Sequence, residues 1–178
     1  MDQDIKIAGD KPSLDIKRDR RADETDGACT PEQIAAAKEL GRRIAMRFVQ
    51  DARESQADSE NDNFDMILQR RLLLSFTATV GFEQCCANDL LDGVAQKSFL
   101  DTLKRADGEL YRSSSDTGAF SFYYLAFRRG GEIDRRIGQT FAMLCSHDGD
   151  PIFQELGEAL YCWFLSEIRK CAEELKLI

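Results

Sequence analysis

Most of the chain after residue 30 carries hydrophobic residues at a helical period. In one segment Ile133, Ile137 and Phe141 share a face while Arg135 lies opposite. Apolar residues at this spacing are typical of an amphipathic helix. The pattern predicts six helices, at about 30–53, 64–86, 89–106, 119–129, 133–147 and 151–175. No segment alternates with the period of a strand, so the expected fold class is all-α.

The segment 119–129 is the most aromatic part of the chain. Five of the sixteen aromatic residues lie in the eight positions from Phe120 to Phe127. At about 100° per residue, apolar side chains cover nearly all sides of this helix, which is typical of a buried one. Gly130 and Gly131 predict that it ends in a left-handed turn. We therefore predict a single-domain bundle of about six helices around a central aromatic-rich helix.

Local residues mark several boundaries. Thr30 and Gln33 have the spacing of a capping box around Pro31, and Asp150 precedes a proline in the same way. These residues predict two helix starts. The stretch 54–63 is polar and aperiodic, so we expect a surface loop there.

The first part of the chain differs from the rest. Residues 1–30 carry eight acidic and six basic side chains among scattered aliphatic ones, with no sustained period. A segment of this kind buries too little apolar surface to offset the entropy of ordering. We expect a mobile charged N-terminal tail at 1–29 and an all-helical domain at 30–178.

Composition limits the partners and the compartment. The net charge of −8 argues against nucleic-acid binding, which depends on Lys and Arg contacts with phosphates. The longest uncharged runs reach eleven residues, as in 72–82, and a bilayer span needs about 20, so no membrane association is expected. The N-terminus lacks a secretory pattern. We expect a cytoplasmic protein whose cysteines are reduced, at positions 29, 85, 86, 145, 162 and 171.

No motif for catalysis is identifiable. The phosphate-loop, dinucleotide and nucleophile-elbow patterns do not occur, so no cofactor is expected. His147 is the only histidine, and with Cys145 it falls where a helix is predicted to end, which favours a capping role over a metal or catalytic one. Cys85 and Cys86 are adjacent and do not form a redox motif, and Cys162 resembles a core residue. The sequence therefore argues against an enzyme without excluding one.

Two charged residues fall at apolar helical phases. Arg71 and Glu167 must each pair, reach solvent or line a pocket, because a buried unpaired charge is costly. We hypothesise that they form an ion pair between the second and last helices. If they instead converge beside aromatic residues, they would anchor a ligand. The candidate pocket then consists of Arg71, Phe120, Tyr123, Tyr124, Trp163 and Glu167.

A second candidate site is the basic cluster around the double glycine. Its members are Arg128, Arg129, Arg135 and Arg136. They could hold an anion or an acidic partner beside the start of the next helix. The alternative is that they complement a helix dipole and cover a solvated face.

These observations favour a protein that acts through protein–protein contact, in an accessory or regulatory role or by self-association. The alternative is a small-molecule-binding domain with the aromatic pocket, and an enzyme ranks third. An exposed apolar patch would favour an interface. An enclosed pocket of roughly 300 Å³ or more would favour a ligand.

Overall fold

The computed structural model of the chain describes residues 29–57, 64–114 and 117–178. Within these ranges the secondary structure is helical and contains no strand. The predicted all-α, single-domain fold is confirmed, with seven helices instead of about six. They are α1 (Pro31–Ala57), α2 (Phe64–Cys85), α3 (Asp89–Ala106), α4 (Gly108–Ser113), α5 (Thr117–Arg128), α6 (Ile133–Leu144) and α7 (Pro151–Glu174).

The additional helix is α4, which lies between the predicted helices 89–106 and 119–129. Asp107 caps it, because its Oδ1 accepts hydrogen bonds from the backbone N–H groups of Glu109 at 3.1 Å and Leu110 at 2.9 Å. Leu110 is buried and holds this helix against the core. Six residues are too few to display a helical period, which is why the sequence pattern missed α4.

The predicted caps are confirmed. The N–H of Thr30 donates to Gln33 Oε1 at 2.9 Å, and the N–H of Gln33 donates to Thr30 Oγ1 at 3.2 Å. Asp150 caps α7. After α5, Gly130 and Gly131 adopt the left-handed conformation, with φ of 65° and 74°. These three helix boundaries are thus set by local chemistry.

The predicted loop at 54–63 is wrong in its first part, because α1 continues to Ala57. The apolar residues of α1 stop recurring at the helical period before its backbone hydrogen bonds end. The end of the helix was therefore predicted too early. Residues 58–63 of that loop, and residues 1–28 of the predicted tail, lie outside the described ranges.

The centre of the bundle is α2. All seven residues from 72 to 78 are buried, so every side of this stretch is covered. α2 contacts each of the other six helices, whereas α5 packs chiefly against α2 and α6. The central position predicted for the aromatic helix therefore belongs to α2.

The prediction that α5 is buried on nearly all sides is wrong. Its inner face is in the core, where Tyr123 is fully buried and stacks on Phe76 with ring centroids 5.4 Å apart. On its other side Phe122 is 49% exposed and Leu125 is 58% exposed. The pattern showed two apolar faces, but the neighbouring helices cover only one of them.

Two helix pairs approach closely at glycines. A Cβ atom at Gly41 of α1 would overlap the backbone carbonyl oxygen of Ala95 on α3. A Cβ atom at Gly138 of α6 would likewise overlap the carbonyl oxygen of Gln154 on α7. Because a backbone carbonyl cannot rotate away as a side chain can, these two contacts need glycine.

We therefore expect Gly41→Ala and Gly138→Ala each to lower the free energy of unfolding by about 2 kcal/mol or more, through forced separation of packed helices. The matched control is Gly93→Ala on α3, where an added Cβ meets nothing within 4 Å. That change should stabilise the helix by about 0.5–1 kcal/mol. Chemical denaturation measures all three, and equal stabilities for Gly41→Ala and Gly93→Ala would contradict the packing described.

Candidate functional site

Two large apolar side chains of α5, Phe122 and Leu125, face solvent. Residues three apart are neighbours on a helix surface, so the two side chains adjoin. The exposed Arg128 and Arg129 continue the same side, since at 100° per residue these four positions fall within an arc of about 120°. We call Phe122, Leu125, Arg128 and Arg129 the α5 outer face.

The orientation of this face is fixed by the aromatic residues on the opposite side of α5. Phe76 of α2 is surrounded by four of them, with ring centroids 5.4–6.4 Å away, namely Phe120, Tyr123, Tyr124 and Phe127. Three of these contacts are edge-to-face, a geometry worth about 0.5–1.5 kcal/mol per pair beyond burial. Rotation of α5 would break all four contacts at once, so the outer face stays in solvent.

The predicted arginine cluster is divided between two helices. Arg128 is the last residue of α5 and Arg129 follows it, and in the described part of the chain neither forms an ion pair. On α6, Arg135 Nη1 pairs with Glu132 Oε2 at 3.2 Å. Arg136 is half-buried, and its Nη1 has no hydrogen-bond partner among the described residues. Of the four arginines in the cluster, Arg128 and Arg129 are thus the exposed ones without an ion pair, and they adjoin Phe122 and Leu125.

The arginines on the solvent side of α1 differ in this respect. Arg42 and Arg43 both bind Glu39, at 2.7 Å and 2.9 Å. These hydrogen bonds lower the pKa of Glu39 to about 2. Arg47 pairs with Glu167 at 3.6 Å. Three of the four arginines of α1 are therefore paired with neighbouring carboxylates, whereas Arg53 is exposed and has no ion pair among the described residues.

The six residues of the predicted pocket do not form one site. Phe120, Tyr123 and Tyr124 pack in the core around Phe76, and the buried hydroxyl of Tyr123 has no hydrogen-bond partner among the described residues. Trp163 lies instead at the α1–α7 contact, where the guanidinium of Arg47 is 5.0 Å from its ring centroid. Phe120, Tyr123 and Tyr124 are therefore separated from Trp163, which shares its neighbour Arg47 with Glu167.

The hypothesis of an ion pair between Arg71 and Glu167 is wrong. Arg71 Nη1 donates to Oγ of Ser113, the last residue of α4, at 3.4 Å. Glu167 pairs with Arg47 at 3.6 Å and with Lys170 at 3.4 Å. Helical periodicity predicted that these two charged residues lie on the apolar sides of their helices. In the structure each of them has a nearer partner on another helix.

Sequence reasoning also missed the buried ion pair that joins α1 to α2. Arg70 binds both carboxylate oxygens of Asp51, at 3.0 Å and 2.6 Å, and Asp51 is only 6% exposed. Asp51 lies three residues after the buried Phe48, on the apolar side of α1. This position could have indicated the ion pair from the sequence alone, because a carboxylate on an apolar face needs a partner.

His147 packs on an aromatic ring, and four of the six cysteines are buried. His147 Nδ1 is 2.7 Å from the carbonyl oxygen of Cys145, and its ring stacks on Phe153 with centroids 3.8 Å apart. All six cysteines are free. Burial raises the pKa of the thiols of Cys86 and Cys145 to about 12. The prediction of a core position for Cys162 is wrong, since it is exposed, yet partial desolvation still raises its pKa to about 11.

Raised pKa values leave these thiols protonated near neutral pH, and a protonated thiol is a poor nucleophile.

Within the described ranges, no group of three His, Cys, Asp or Glu side chains is placed to hold a metal ion. The same residues include no helix with the length and apolar character of a membrane span.

Comparison of the chain with protein-family models, with curated proteins and with solved structures gives no match. We therefore infer function from the residues and their geometry.

The Asp51–Arg70 pair yields a stability prediction. We expect Asp51→Ala to lower the free energy of unfolding by about 2–4 kcal/mol, because it leaves the guanidinium of Arg70 without its buried partner. The matched control is Glu132→Ala, which breaks a pair whose side chains are 77% and 65% exposed and should cost under about 1 kcal/mol. Denaturation in a double-mutant cycle with Arg70→Met measures the coupling, and additive effects would contradict it.

Proposed function

We propose that the chain is a protein-binding helical domain that uses the α5 outer face to bind an acidic, apolar segment of another protein. One observation carries this proposal. Phe122 and Leu125 are half exposed beside Arg128 and Arg129, which have no carboxylate partner in the described ranges, on a helix whose other side is fixed in the core.

The chemistry of the face defines the partner. Phe122 and Leu125 gain from contact with apolar side chains, since burial of apolar surface favours association. Each arginine can bind a carboxylate through two parallel hydrogen bonds. A segment that presents apolar residues next to Asp or Glu satisfies both requirements. The chain as a whole has a net charge of −8 and would repel an acidic partner. Apolar contact with Phe122 and Leu125 is therefore needed for binding.

The composition of the face agrees with that of protein interfaces. Aromatic residues and arginine are enriched where binding energy concentrates, and lysine is depleted. The α5 outer face contains one phenylalanine, one leucine and two arginines. The six-residue ligand pocket has less support, because its members lie in separate parts of the bundle.

Site-specific photo-crosslinking tests the proposal. We would place a photoreactive phenylalanine analogue at position 122 in cells of the source organism, with position 90 as control, because Leu90 on α3 is 54% exposed but has no part in the face. We expect a crosslinked partner at position 122 and little of it at position 90. The crosslinked peptide should contain apolar residues next to Asp or Glu.

Binding of the purified partner then tests the chemistry. Phe122→Ser with Leu125→Ser, and separately Arg128→Glu with Arg129→Glu, should each raise the Kd by about tenfold or more, a loss of about 1.4 kcal/mol. Leu90→Ser with Arg105→Glu on α3 is the matched control and should leave the Kd unchanged. A crosslink between two copies of the chain, or a Kd indifferent to both α5 double substitutions, would overturn the proposal.

A further inference from the structure

A cavity of about 240 Å³ lies between α2, α3 and α5. Phe82 and Phe99, which are both buried, form part of its wall and meet edge to face with centroids 5.8 Å apart. Leu100 also lines it and is 41% exposed, so the cavity reaches the surface. The lining residues are Ser75, Thr79, Phe82, Gln96, Phe99, Leu100, Ser114 and Phe120.

Three of the polar side chains in this wall already have partners. Thr79 Oγ1 donates to the carbonyl of Ser75 at 3.3 Å, and Ser114 Oγ donates to that of Leu110 at 2.7 Å. Gln96 Nε2 donates to a carboxylate of its own helix at 2.8 Å. Each of these side chains thus donates one hydrogen bond within the fold.

Ser75 is the exception. It is only 6% exposed, it lines the cavity, and its hydroxyl has no hydrogen-bond partner among the described residues. This hydroxyl oxygen is not one of the fully buried side-chain atoms that lack a partner, so it is open to the cavity and can donate to or accept from a ligand there. A partner inside the cavity would satisfy it.

We propose that this cavity binds a small neutral aromatic molecule that hydrogen-bonds to Ser75. Phenyl rings in the wall favour an aromatic ligand through stacked and edge-to-face contacts. No charged side chain lines the cavity, so an ionised ligand would lose its hydration without compensation. An apolar cavity of about 150 Å³ accommodates benzene, and the larger volume here therefore suits one or two fused rings with one polar group.

This site is distinct from the α5 outer face and does not depend on the proposed protein contact. Phe120, which lines the cavity, belongs to the inner side of α5 and packs on Phe76. The ligand would occupy the space behind α5, whereas the protein partner would cover its front.

Calorimetric titration of the full chain with indole tests the proposal, with indene as the matched probe that has the same shape but no N–H group. We expect indole to bind with a Kd below about 1 mM, and more tightly than indene. Ser75→Ala should raise the Kd for indole by about tenfold and leave that for indene unchanged, because it removes one hydrogen bond and little volume. Ser166→Ala, on α7 and outside the cavity wall, is the control and should change neither.

A second variant guards against a change in folding. Ser75→Met fills the cavity and should abolish binding of both probes while the helical circular dichroism and the cooperative unfolding transition persist. Three results would each overturn the proposal: no binding of indole below about 1 mM, equal binding of indole to the wild type and Ser75→Ala, or undiminished binding to a folded Ser75→Met.

Discussion

Seven consecutive buried residues in α2, from 72 to 78, impose the constraint on which the rest of this fold depends. Successive residues of a helix point about 100° apart, so seven of them cover every direction around the axis. A helix buried in this way must have neighbours on all sides. The other six helices occupy these positions, and each of them contacts α2.

The enclosure of α2 explains why α5 has one covered side. α5 contributes its aromatic residues to the ring around Phe76, and this contact uses its inner face. No described helix covers the opposite face, where Phe122 and Leu125 remain exposed. The proposed protein contact therefore follows from packing, because a second apolar face on a peripheral helix is left for a partner outside the chain.

Much of the helical architecture could be predicted from local sequence. The capping residues Thr30 and Asp150 and the left-handed Gly130 act within a few residues of their own position, so their effects are readable from the chain alone. The short α4 was missed for the converse reason. Its six residues are too few to show a helical period, and it is stabilised by the capping by Asp107 and the burial of Leu110.

The candidate site was predictable only in part. The sequence singled out Arg128 and Arg129, but it placed Phe122 and Leu125 in the core. Helical periodicity shows which sides of a helix are apolar, and it does not show which of them a neighbour will cover. The same limit applies to charge pairs, since Arg71 and Glu167 were noticed while their actual partners, on other elements, depend on tertiary packing.

The central claim is that α2 is the enclosed helix and α5 is peripheral, and native-state hydrogen exchange tests it most directly. We expect the backbone amides of residues 72–78 to exchange only through global unfolding, with the free energy measured by denaturation. The amides of residues 121–126 in α5 should exchange faster, through smaller openings that leave α2 intact. Slowest exchange in α5, with α2 opening at lower free energy, would contradict the account.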